Sequence, residues 1–179
     1  EAELAADRTN PLVSASIRYH HLPIAGGPGG AFEAAPSELR LATRYMEYLD
    51  QHAPSIVGAV RAVADANGAP AVVHCRAGKD RTGVVVGMVL SAVGVKPDDI
   101  AADYALTTAA MKKIMEGLKA SQHYAANVKK LPPEMYSSEA PTMTAFLRMV
   151  DDSHGGAERW LVDNGLPPGS MQTLKKVLI

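Results

Sequence analysis

Ala71-Val72-Val73-His74-Cys75-Arg76-Ala77-Gly78-Lys79-Asp80-Arg81-Thr82-Gly83 is the stretch on which the reading of this chain turns. Its first four residues are short, apolar and bounded by Pro70, which predicts a buried strand over 71–74. From Thr82 an apolar run continues to Val93 and is closed by Gly94, which predicts a helix over 82–93. A strand, a polar turn and a helix in succession aim backbone N–H groups at a common point, and the helix N-terminus adds partial positive charge. Gly78 permits the tight backbone path, and Arg81 offers a planar fork matched to two oxygens of a phosphate or sulfate. Cys75 lies at the floor of that cradle. A thiol facing N–H dipoles, Arg81 and a helix end should have a lowered pKa and act as a thiolate nucleophile. Residues Arg76, Ala77, Gly78, Lys79, Asp80 and Arg81 are thus expected to bind a tetrahedral dianion, inorganic phosphate or sulfate included. With Cys75 beneath it, this is equipment for phosphoryl transfer through a cysteinyl-phosphate.

A lone cysteine at the end of a strand is more often packing than chemistry. Its neighbours reverse that balance. Any one specified residue arises by chance about once in twenty, and here His74, Cys75, Gly78, Asp80, Arg81, Thr82 and Gly83 occur together. A nucleotide-binding P-loop would need Ser or Thr after the lysine and a glycine five residues before Gly78, where the chain has Asp80 and Val73.

Outward from the loop, Ile17-Arg18-Tyr19-His20-His21-Leu22-Pro23-Ile24 reads as a second strand, followed by a flexible Gly26-Gly27-Pro28-Gly29-Gly30 loop. Ser37 is placed to cap a helix through Leu41, Tyr45, Met46 and Leu49 that ends near His52. Pro54 restarts it, with Ile56, Val57, Val60 and Val63 on one face and Asn67-Gly68 as the stop. Pro97-Asp98-Asp99 starts a helix over 101–120 with a break near Leu106-Thr107, and Pro132-Pro133 ends that region. Helices over 142–153 and 157–164 and a last one capped by Ser170 complete the chain. The expected class is α/β, a sheet flanked by helices with a predominantly helical C-terminal half.

The 179 residues fit one domain, and 47% hydrophobic with 21% charged is ordinary globular composition. Eighteen Lys and Arg against nineteen Asp and Glu leave a net charge of -1, which argues against nucleic acid held by bulk charge. A single cysteine excludes an internal disulfide and a cysteine-cluster metal site, and His123 and His154 lack partners at ligand spacing, so neither metal nor cofactor is expected. No apolar run approaches the ~20 residues of a membrane span, and no signal-peptide pattern opens the chain. An unpaired Cys75 suits a reducing cytoplasm.

The loop resembles the signature of cysteine-dependent phosphatases, in which Cys and Arg are separated by five residues. Its His-Cys-x-Ala-Gly-Lys-Asp-Arg-Thr-Gly form is similar to that of atypical bacterial tyrosine phosphatases of broad specificity, a family that includes exported members. The segment 18–24, the Ala101-Asp103-Tyr104-Leu106 helix and Trp160-Leu161-Val162-Asp163-Asn164-Gly165-Leu166 are similar to the family's pattern as well. One departure stands out: the family's opening Asn-Phe-Arg-Asp-Leu-Gly-Gly segment and the core strand after it are not found here. Glu1-Ala2-Glu3-Leu4 resembles the stretch just beyond that strand, so residues 1–179 are expected to form one phosphatase-like domain without its first strands.

The resemblance implies roles. Cys75 would be the nucleophile, Arg81 the two-point phosphate clamp, and Thr82 the hydroxyl that helps the thiol leave. His74 would orient the loop and support the thiolate, with a buried structural histidine as the equal alternative. The subgroup points to Asp80 as the general acid, whereas Glu38, Asp50 and Asp65 read as solvated helix charge. Lys79 resembles a substrate-contacting lysine; otherwise it is an exposed loop lysine. The region from Tyr104 to Met135, with Met111, Met115, Tyr124 and Lys112-Lys113, forms either an amphipathic surface helix or, by analogy, a helical lid. The implied substrates are phosphorylated proteins, on tyrosine and with serine and threonine besides, and phosphoinositides. A rhodanese-type sulfurtransferase and a non-catalytic phosphate-binding module are the competing classes.

Overall fold

Leu41, Tyr45, Tyr48, Leu49, Ile56, Val60 and Ala64 recur at helical spacing, and all are buried along α1 (Arg40–Asp65). A computed structural model of the chain describes residues 17–25, 33–120 and 133–179. The helix does break where Pro54 demands it. His52 leaves helical geometry at φ -131° and ψ 26°, which relieves the clash between the proline ring and the preceding turn. Ser37 does not cap this helix: a 3-10 turn, Ser37–Leu39, precedes it, with Pro36 at the N-cap position.

The helix after the signature loop, α2 (Asp80–Ala92), buries Val84, Val85, Met88 and Val89. Next come α3 (Pro97–Ala105), a 3-10 turn (Leu106–Ala110) at the expected break, and α4 (Met111–Ala120). Pro97 fills the first turn of α3 and Asp98 and Asp99 complement its dipole. Beyond a 3-10 turn at Pro133–Tyr136 lie α5 (Ala140–His154), α6 (Ala157–Asp163) and α7 (Pro168–Leu178). Ser170 falls inside α7, whose N-cap is Pro167. Helix α5 packs on α1, α2, α3 and α6, so Met143, Phe146 and Val150 occupy the centre of the core with Tyr45, Leu49, Ile56 and Met88. Met111 and Met115 of α4 form a small cluster of their own with Ile114 and Leu118.

The α/β architecture is not what the described residues form. They contain helices and no strand, and both expected strands are irregular backbone. The reason is physical. A strand exists only as one side of a hydrogen-bonded ladder, and no described segment pairs with 71–74 or 17–24. Val72 is 86% exposed, so its apolar run buries nothing on that side. Within 17–25, Leu22 instead meets the open backbone face of Gly58 on α1, and Ile24 is buried. The Gly26–Gly30 loop, Glu1–Leu4, His123, Tyr124 and Pro132 lie outside the described residues.

Candidate active site

The loop turns where glycine allows it. Gly78 has φ +66° and nothing stands within 4 Å of where its side chain would begin, so the constraint there is backbone conformation rather than space. Lys79 then delivers its carbonyl to the N–H of Gly83 at 2.6 Å, closing the first turn of α2.

Cys75, half-buried, faces that turn. Its backbone N–H donates to Thr82 Oγ1 at 2.8 Å, tying the end of the extended segment to the start of the helix. Burial alone would push the Cys75 thiol up. Hydrogen bonds from the Thr82 side chain and N–H, the charge of Arg81 and the Lys79 N–H outweigh burial and hold the thiol below its ordinary value. The direction is that expected of a nucleophile. Arg81 Nη1 donates to the carbonyl of Ile24 at 3.3 Å, so the 17–25 segment steadies the guanidinium from outside the loop. His74 is exposed, with Nδ1 3.3 Å from the Cys75 carbonyl oxygen, which removes the buried structural histidine as an alternative. Ala77 is half-buried, Gly78 and Arg76 are exposed, and all three belong to the rim of the turn.

Lys79 is not an exposed loop lysine. It is 2% exposed, with Nζ 2.8 Å from Asp80 Oδ1 and donating to the Ser137 carbonyl at 3.1 Å. Asp80 Oδ1 also accepts the Tyr45 hydroxyl of α1 at 2.8 Å, and the Tyr45 and Tyr104 hydroxyls lie 2.7 Å apart. Ser137 is in turn held in place: Thr108 Oγ1 donates to the Ser138 carbonyl at 2.8 Å and accepts the Ser138 N–H at 3.1 Å. Asp80 is therefore reached from α1 through Tyr45 and from the 133–139 segment through Lys79. Burial, then the nearby Asp80 charge and Tyr104, raise the phenol of Tyr45; burial foremost raises that of Tyr104 against the opposing hydrogen bond to Tyr45, so both stay protonated and able to donate.

Sequence reasoning brought the loop residues together and missed Tyr45, Tyr104 and Ser137. The available signal was a tyrosine on the buried stripe of α1, because a buried phenol needs a partner for its hydroxyl. Gly83 also acquires a role. A Cβ there would sit 2.9 Å from Cδ2 and Cε2 of Tyr104, so its bare backbone admits the Tyr104 ring against α2.

Two of the upstream carboxylates, Asp50 and Asp65, are elsewhere. Asp65 pairs with Arg61 at 3.6 Å on exposed surface, and Asp50 lines an open groove of about 640 Å³ with Asp151, Asp152 and His154 that no loop residue reaches. The side chain of Glu38 lies outside the described residues. A smaller cleft of about 80 Å³ opens beside the loop between Lys79, Gly83, Asp103, Tyr104 and Met143; neither Cys75 nor Arg81 lines it. Among the described residues no three His, Cys, Asp or Glu side chains are grouped to hold a metal ion, and no helix is long and apolar enough to cross a membrane.

Comparison with known proteins agrees with the loop. The chain is 29% identical over 170 residues to the triple specificity protein phosphatase PtpB of Mycobacterium tuberculosis, covering 86% of this chain and 62% of that protein. It is 25% identical over 140 residues to a tyrosine-protein phosphatase of Nostoc commune, covering 75% of this chain and 48% of that one. The chain thus spans less than two thirds of the length of these relatives. A model of the tyrosine phosphatase family matches residues 1–179. With that match running from end to end, and a cysteine and an arginine set at the start of α2, the chain belongs to the tyrosine phosphatase family.

Proposed function

We propose that the chain hydrolyses phosphate monoesters, phosphotyrosine in proteins first among them, through a cysteinyl-phosphate on Cys75. The observation that carries this is the Cys75 thiol, drawn below its ordinary value by Thr82, Arg81 and the Lys79 N–H at the mouth of α2. In the first step Cys75 Sγ attacks phosphorus, the ester P–O bond breaks, and Asp80 gives its proton to the leaving oxygen. Arg81 and the N–H groups of Arg76, Ala77, Gly78, Lys79 and Asp80 bind the equatorial oxygens. In the second step water attacks the phosphorus, Asp80 takes its proton, and the Thr82 hydroxyl stabilises the departing thiolate. Among the described residues the Tyr45 and Lys79 contacts on Asp80 both fall on Oδ1, and Oδ2 would carry the transferred proton.

Activity on phosphoserine, phosphothreonine and phosphoinositides is the wider substrate range we infer, supported by the triple specificity named for the mycobacterial relative. A free catalytic thiol suits a reducing compartment, while export remains compatible with a soluble substrate. The test is hydrolysis of an aryl phosphate by this chain and by Cys75→Ser, with rapid acid quench to trap phosphate on the protein. Turnover that survives in Cys75→Ser, or thiosulfate-to-cyanide transfer without aryl phosphate hydrolysis, overturns the reading.

A further inference from the structure

Three aromatic rings pack on that of Tyr45. Its ring stacks on Tyr48 with centroids 6.2 Å apart and meets Phe146 and Tyr104 edge-on at 5.7 and 6.4 Å. Phenylalanine would fill that space equally well, so the packing does not call for a hydroxyl. A buried hydroxyl is costly unless bonded, and this one bonds across 35 residues to the carboxylate inside the signature loop.

The direction of the hydrogen bonds follows from counting protons. Asp80 Oδ1 accepts from the Lys79 ammonium and from Tyr45. Tyr45 has one hydroxyl proton and gives it to Asp80, so Tyr104 must be the donor between the two phenols. The chain Tyr104 to Tyr45 to Asp80 therefore runs one way. Lys79 supplies charge on a flexible stem, whereas Tyr45 supplies direction from the rigid first half of α1. Neither bond occupies Oδ2.

From this juxtaposition we propose that Tyr45 is the positioning residue for Asp80 in proton transfer, oriented in its turn by Tyr104. The proposal rests on the phosphatase reading and deepens it. Tyr45 sets the rotation of the carboxyl, so that Oδ2 presents its proton to the leaving oxygen. Losing the hydroxyl lets Asp80 turn on the Lys79 contact alone, and in the ester-cleavage step the cost appears only where the leaving group needs a proton.

The test is a pair of aryl phosphates, one whose phenolate leaves unaided and one with a leaving group of high pKa. Tyr45→Phe should lower kcat/KM, which reads ester cleavage without the later hydrolysis of the cysteinyl-phosphate, about 10- to 100-fold on the second, the worth of one hydrogen bond to a charged group. On the first, kcat/KM should fall less than threefold, and inhibition by vanadate should stay within twofold. In an Asp80→Asn background the Tyr45→Phe effect should vanish. Tyr104→Phe, one hydroxyl further out, should show the same selectivity at smaller size and serves as the second variant should Tyr45→Phe melt early. Equal loss on both substrates, no loss on the poor leaving group, or a loss that persists in Asp80→Asn overturns the proposal. A parent chain that hydrolyses neither substrate overturns the phosphatase reading and this inference with it; a parent active on both with an unselective Tyr45→Phe overturns the inference alone.

Discussion

Thr82 Oγ1 accepts the backbone N–H of Cys75 at 2.8 Å, so the first turn of α2 and the cysteine are held by one hydroxyl. Thr82 also accounts for the largest share of what lowers the thiol, ahead of Arg81 and the Lys79 N–H. The pH dependence has a definite sign. Alkylation of Cys75 by iodoacetamide follows the thiolate fraction, so its midpoint should lie below the ~8.5 of a free thiol. In Thr82→Ala the side-chain bond is lost while burial, Arg81 and the backbone N–H groups remain, so the midpoint should rise. An unchanged midpoint would remove Thr82 from thiolate stabilisation.

Cys75→Ser should abolish turnover and still bind vanadate or tungstate, because the N–H cradle and Arg81 are intact and only the nucleophile is weakened. Calorimetry of oxyanion binding together with the aryl phosphate rate reads both halves. Hydrolysis within tenfold of the parent contradicts a covalent intermediate.

Arg81→Lys should lose about 10²-fold or more in kcat, the usual cost of removing one preorganised donor to transition-state charge. An ammonium cannot give one proton to the Ile24 carbonyl and still present a planar fork to two phosphate oxygens. Steady-state kinetics on a single aryl phosphate settles the comparison, and near-parental kcat would show that charge alone suffices.

Asp80→Asn should destabilise the fold as well as slow the reaction. Lys79 Nζ has 1% side-chain exposure and would lose its only anionic partner among the described residues, and stranding a buried charge costs about 3–5 kcal/mol. Lys79→Met in the Asp80→Asn background removes the stranded ammonium and should recover much of the loss in urea melts. A double variant no more stable than Asp80→Asn would show the pair is not the source of the cost.

Gly83→Ala should cost about 1–3 kcal/mol through overpacking, because the added methyl falls 2.9 Å from two ring carbons of Tyr104. The same displacement should disturb the Tyr45 contact, so kcat/KM on poor leaving groups should fall more than on activated ones. Thermal melting and the two-substrate comparison check both effects.

What was legible in the sequence had local causes. Pro97 with two following aspartates announced α3, Pro54 announced the break in α1, and the seven motif residues announced the loop. The strands failed because Ala71-Val72-Val73-His74 carries the residue types of a strand but not its partner, and a ladder is a property of two segments. The surroundings of Asp80 failed for a related reason. Tyr45 is 35 residues away and Ser137 is 58 residues from Lys79, separations at which periodicity carries no information about contact.

The break at His52 divides α1 in its effects on descent. Ahead of it, Tyr45 holds Asp80 and Tyr48 lies within the electrostatic reach of Asp80 and Arg81; beyond it, Ile56, Val57 and Val60 only fill the core. A straight helix would pass every shift in core volume along its length to the Asp80 carboxylate. A jointed one lets residues 53–65 drift, trading one aliphatic side chain for another over generations, while residues 40–51 keep their aim. The aromatic half should therefore be frozen among close relatives that are active, and the aliphatic half free to wander.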